Sequence, residues 1–158
     1  MEQFGRRLAV AVRAGDVIAL TGDLGAGKTT LVRYLARALG VPTDIPVTSP
    51  TFTLQNIYRA ESFEIIHADL YRLADSSETC GLGIEEWLES GALILVEWAD
   101  RAIDSLGLDV LTIDIGIESQ SSRTVSLSAR GPASLDLMNA IENNDLQMED
   151  YDEGICQN

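Results

Sequence analysis

The sequence predicts a three-layer α/β domain with a mixed, mostly parallel sheet, on three observations. An apolar run at 17–20 leads into a glycine-rich loop and then a segment of helical period. A second, wholly apolar run at 93–96 ends on an acid, as a strand buried on both faces can. Two alternating segments, 109–117 and 124–129, have the period of paired antiparallel strands.

In chain order, Phe4, Leu8, Ala11 and Val12 recur at helical spacing, so an amphipathic helix precedes the first strand at 16–21. Over 29–39, Leu31, Val32, Leu35, Ala36 and Leu39 fall on one helical face, and Gly40 and Pro42 supply the stop signals. Segments 51–58 and 63–68 carry β-branched and aromatic residues around a turn at 60–62, which predicts two strands. Residues 76–90 read as helix in pieces, broken near Gly81 and Gly83. After the antiparallel pair, a short helix is expected at 135–141, then a disordered acidic tail. The organisation is thus a nucleotide-binding domain over 1–132, with the helix and tail over 133–158.

The loop carries the chemistry. Gly22, Gly27, Lys28 and Thr29 match G-x-x-x-x-G-K-[ST], the phosphate-binding loop, which makes the fold P-loop NTPase-like. Glycines at 22, 25 and 27 let successive N–H groups of Asp23, Leu24, Gly25, Ala26 and Gly27 turn into one concavity. The helix that follows, with Thr30 in its first turn, adds unpaired N–H groups and the positive end of its dipole. Lys28 would reach the β- and γ-phosphates of ATP, and the Thr29 hydroxyl would ligate Mg²⁺. The plain alternative is a glycine-rich turn with a solvated lysine. Against it, ten of the eleven basic residues are arginine, and the single lysine stands here.

Composition narrows the partners. Twenty-five acids against eleven bases give a net charge of −14, which opposes direct binding to nucleic acid and leaves ATP dependent on local positive groups and Mg²⁺. No Lys or Arg follows Arg130, whereas seven acids do, from Asp136 to Glu153. Cys80 and Cys156 lie far apart with no Cys or His at metal-ligand spacing, which fits a reduced cytoplasm. Arg13 and Asp16 interrupt the apolar stretch that export after Arg6 and Arg7 would need, and no run has the length of a membrane span.

Hydrolysis needs a carboxylate near the metal and a group that orients water. Asp69 and Glu97 each follow an apolar strand, at the carboxyl end where open α/β sheets bind ligands. Glu97, after four apolar residues, fits the metal-side acid better; Asp69 could polarise the attacking water or hold a metal-bound one. Either is otherwise an ordinary strand-end acid or a helix cap. His67 alternates with Ile65, which favours a packed or sheet-face role over a ligand. Trp87 and Trp98 read as core or rim aromatics, with Trp98 placed near a nucleotide by its neighbour Glu97, and Arg72 as a partner of an acid or a phosphate.

Together, the loop from Gly22 to Thr30, the stretch from Ser49 to Leu54, the block from His67 to Leu73 and the Glu97, Trp98 pair resemble the TsaE (YjeE) family. These are small bacterial P-loop ATPases that support synthesis of threonylcarbamoyladenosine in tRNA. The resemblance covers roughly residues 4–130 and leaves the acidic tail outside. It implies that Thr29 and Glu97 are the Mg²⁺ ligands, that Asp69 is needed for hydrolysis, and that Thr51 lies in a switch-like segment near the γ-phosphate. Arg123 aligns loosely with a region of the family that approaches the nucleotide. The implied partners are the proteins TsaD and TsaB, with tRNA met only through their complex and no role for a membrane. Relatives carry further residues before the first helix, some near the adenine, so the adenine contacts here are left open.

Other nucleotide-dependent classes fare worse. A GTPase needs an N-K-x-D motif, and the only lysine is in the loop. An ABC-type ATPase needs L-S-G-G-Q, which is absent. A small-molecule kinase shares loop and size and would draw a lid from Arg59, Arg72 and Arg101, which form no cluster in sequence. A nucleotide-gated binding module with negligible turnover differs from the family reading only in degree.

Overall fold

The computed structural model describes residues 1–73, 78 and 81–152, the last nine as backbone. The elements are α1 (Glu2–Ala11), β1 (Val17–Thr21), α2 (Lys28–Ala38), β2 (Gln55–Arg59), β3 (Glu64–Asp69), α3 (Ile84–Glu89), β4 (Leu93–Glu97), β5 (Val110–Ile117), β6 (Arg123–Arg130) and α4 (Pro132–Asp152). One six-stranded sheet runs in the order β2-β3-β4-β1-β5-β6. Its four inner strands are parallel, and β2 and β6 close the edges antiparallel.

Strand alternation sorts the core into two layers. Ile18, Leu20, Ile65, Leu93, Leu95, Leu111 and Ile113 face Phe4 and Leu8 of α1, Leu31 and Leu35 of α2, and Leu137 and Ile141 of α4. Their sequence neighbours Val17, Ala19, Ile66, Ala68, Ile94 and Val96 face the other way, onto Ile84, Trp87 and Leu106. The α/β class, the three layers and the mixed sheet all match the expectation.

Two boundaries differ from the sequence reading. The strand expected at 51–58 begins only at Gln55, because Leu54 adopts a positive φ of 68° and its N–H closes a turn onto the Pro50 carbonyl at 2.8 Å. The helix expected at 135–141 runs from Pro132 to Asp152. Its start is earlier because Asp109, in the loop before β5, caps it, accepting from Ala133 N at 2.9 Å and Ser134 N at 2.7 Å. It continues because no Gly or Pro interrupts the sequence before Gly154. Leu137 and Ile141 also join the main core, so these turns belong to the domain. The start of the broken helix at 76–80, Cys80, Cys156 and the tail from 153 lie outside the described residues, apart from Glu78. Among the described residues, no helix is long and apolar enough to cross a membrane.

Candidate functional site

The glycine loop joins β1 to α2 at the carboxyl end of the parallel strands. Gly22 (φ +124°) lies against the Ile115 carbonyl of β5, where a Cβ would collide, so the chain can leave β1 in this direction only as glycine. Gly27 caps α2 at φ 113° and offers no side chain to the first turn, whose N–H groups are left for the cleft. Below the loop, Lys28 is 4% exposed. Its ammonium donates to the Gly22 carbonyl at 2.5 Å and the Asp23 carbonyl at 3.0 Å, and lies 3.7 Å from the centre of the Trp98 ring. Burial lowers the Lys28 pKa below the ordinary lysine value, while the carboxylates of Glu97, Asp100, Asp69 and Asp23 oppose that shift without cancelling it.

The two acids at strand ends meet in register. Asp69 pairs with Glu97 across β3 and β4, and both are buried on the α2 face. Glu97 Oε2 accepts from the Thr29 hydroxyl at 2.9 Å, and its Oε1 lies 2.8 Å from His67 Nε2. Asp69 Oδ2 accepts from the hydroxyls of Ser49 and of Thr51, the latter at 2.9 Å, and Oδ1 accepts from Tyr71 N at 2.8 Å. Asp69 therefore ties the long connection between α2 and β2 to the end of β3.

These groups line one cleft of about 520 Å³, with Leu24, Gly25, Gly27, Lys28, Thr29 and Thr30 on one wall. Ser49, Thr51, Asp69, Tyr71, Glu97 and Trp98 form the other. Seven of the ten residues expected to contact the nucleotide thus line it. Asp23 supplies a carbonyl to Lys28 while its side chain points to solvent, and Ala26 is buried beneath the loop. Arg123 is not in the cleft: it braces the loop from behind, donating from Nε to the Ala26 carbonyl at 2.9 Å and from Nη1 to Ser119 O and Ser122 O. A second hollow of about 520 Å³ opens on that side, between Met1, Gln3, Phe4, Ser121 and Arg123.

Three residues carry more than the sequence suggested. Ser49 joins Thr51 on Asp69, and Tyr71 lines the cleft 5.0 Å from Trp98, ring centre to ring centre. His67 is packed, as its alternation with Ile65 implies, yet it also holds Glu97. The register of two adjacent strands brings these groups together, and one chain read alone does not reveal it. The Arg72 guanidinium lies 4.8 Å over the Phe52 ring.

The donor set suits a magnesium ion bound with a phosphate ester. Among the described residues no three His, Cys, Asp or Glu side chains gather into a metal cage. Magnesium needs no such cage: one or two oxygen ligands from protein suffice when phosphates and water complete its shell. Thr29 Oγ1 and Glu97 Oε2 are such a pair beside the Lys28 ammonium.

Fold and site together define an α/β protein of the P-loop-like class. The model of one family, "Threonylcarbamoyl adenosine biosynthesis protein TsaE", matches residues 1–125. The chain is 40% identical over 120 residues to the tRNA threonylcarbamoyladenosine biosynthesis protein TsaE of Streptomyces coelicolor, covering 73% of this chain and 78% of that one. To the Bacillus subtilis protein of the same name it is 39% identical over 123 residues, covering 78% and 75%. The crystal structure of Bacillus subtilis YdiB superposes with a TM-score of 0.74 at 29% identity, covering 91% of this chain and 88% of that one. The chain belongs to the TsaE family, which takes part in the biosynthesis of threonylcarbamoyladenosine in tRNA.

Proposed function

We propose that this protein binds ATP with Mg²⁺ in the cleft, hydrolyses it slowly, and through that cycle acts on a complex of TsaD and TsaB. One observation carries the reading: Asp69 and Glu97 stand in register at the ends of two parallel strands, in the cleft that Lys28 and Thr29 enter from the other side. Lys28 supplies a charge-assisted contact to phosphate, and the uncapped first turn of α2 supplies N–H donors. Thr29 Oγ1 and Glu97 would hold magnesium, which when bound neutralises charge on the phosphate oxygens. Asp69 would orient a water, and Thr51, sharing its Oδ2, ties the 47–54 segment to that carboxylate. The hollow behind the loop, walled by Phe4 and Arg123, is where a nucleoside would extend. A net charge of −14 favours contact with tRNA through protein partners.

Calorimetry with ATP and Mg²⁺ tests the reading. Lys28→Ala should weaken binding by about 1.5–3 kcal/mol, the worth of a charge-assisted contact. Unchanged affinity in that variant ends the proposal. Association with TsaD and TsaB, measured with and without ATP, tests the partner; no association in either state removes that part. The kinase alternative gains nothing from the site: Arg59 pairs with Glu64 at 3.4 Å, Arg72 lies on Phe52, and Arg101 donates to the Leu73 carbonyl. None of the three lines the cleft.

A further inference from the structure

His67 is the chain's single histidine and is fully buried. On the α2 face it stands between apolar Ile65 and Asp69 along β3, beside Leu93, Leu95 and Glu97 of β4 and opposite Asn56 of β2. Its Nε2 forms a 2.8 Å hydrogen bond with Glu97 Oε1. That leaves Nδ1 buried with no hydrogen-bond partner. For folding alone this is a poor choice: a leucine would fill the space and strand no nitrogen.

The compensating gain is at Glu97. A glutamate carboxyl turns freely about its last bond, and its two oxygens are equivalent until something distinguishes them. Here they are distinguished: His67 holds Oε1, and Oε2 is left toward the Thr29 hydroxyl at the cleft floor. We infer that His67 is a positioning residue for the Glu97 carboxylate, presenting Oε2 to the magnesium ion that Thr29 and Glu97 would share. The inference rests on the reading of those two residues as the metal's ligands. Carboxylate ligands elsewhere are oriented in this way by a partner behind them, and loss of that partner weakens metal binding.

The experiment is calorimetry of ADP binding in Mg²⁺ and in EDTA, on the full chain, which reads affinity without turnover. The ratio of the two affinities measures how strongly metal and nucleotide are linked. His67→Leu should keep the EDTA affinity and lose about tenfold of the magnesium-dependent gain, at the low end of what such partners contribute. His67→Gln, whose amide nitrogen falls near Nε2, should restore most of it. His67→Asn, whose amide stops short of Glu97, should behave like the leucine and serves if the leucine variant does not fold. A magnesium-dependent gain that survives in His67→Leu and His67→Asn overturns the inference. So does an equal loss in EDTA and in Mg²⁺ across all three variants, which marks a merely structural residue. Glu97→Gln separates this failure from a deeper one. If that substitution leaves the gain intact, or the unaltered protein shows none, the metal reading falls and the inference with it; if Glu97→Gln removes a gain that the His67 variants keep, only the inference fails.

Discussion

The two faces of β3 and β4 are built from alternate residues of the same two strands, and they differ in kind. Toward α3 the strands present Ile66, Ala68, Ile94 and Val96, all apolar and buried. Toward α2 they present Ile65, His67 and Asp69 beside Leu93, Leu95 and Glu97, so that each row turns from apolar to ionisable as it nears the loop. Among the described residues, four of the five buried polar ones, Lys28, His67, Asp69 and Glu97, gather at that end. Burying charged groups costs stability unless they are paired, and the α3 face is free of that cost. One face is apolar throughout; the other gathers its ionisable groups at a single end.

Substitutions on the two faces should therefore separate stability from activity. The largest effect is expected from Ile94→Ala, which leaves a cavity on the α3 face and should cost about 3 kcal/mol in urea unfolding. Nucleotide affinity of the folded protein should not change. Glu97→Gln inverts that pattern: its amide keeps an acceptor for His67 and a donor for Thr29, so unfolding should be little altered. Phosphate release from ATP should fall about a hundredfold, or ~2.7 kcal/mol of barrier. A large loss of stability in Glu97→Gln, or of binding in Ile94→Ala, would break the division.

The buried ammonium gives a smaller effect, with opposite signs for binding and folding. Because burial lowers the Lys28 pKa from 10.5, nucleotide affinity should be full at neutral pH and decline as pH rises through the lowered value, before an exposed lysine would titrate. Stability runs the other way: the contribution of Lys28 is present above the unfolded-state value and lost as pH falls through the folded-state one. Affinity and Tm followed from neutral to alkaline pH would show the two curves diverging, and parallel curves would refute the assignment. The smallest effect belongs to neither face. Asp109→Ala removes the cap of α4 and should cost about 1 kcal/mol. Its backbone hydrogen bonds lower the Asp109 pKa, so that contribution is present above 3.8 and lost as pH falls through the folded-state value.

Much of this was legible in the sequence because it is local. The glycine loop, its helix and the acids ending two strands each declare themselves within a few residues. The sheet class followed from the same runs. What the sequence left hidden arises across distance: the register that sets Asp69 beside Glu97, the reach of His67 across to β4, and the turn at Leu54 that brings Ser49 and Thr51 to Asp69. Arg123 is a further case, since its place in β6 brings it to the back of the loop, where it lines the second hollow. Alternation signals a packed His67 truthfully and is silent about the carboxylate it touches.

Lys28 is the sole side-chain amine in the protein, and it is walled in by two carbonyls and an indole. An acylating reagent that reacts with amines can therefore modify a side chain at one position only. The rate at which the mass of that peptide increases becomes a direct gauge of how open the loop is, in an unaltered chain and without a radioactive or fluorescent nucleotide.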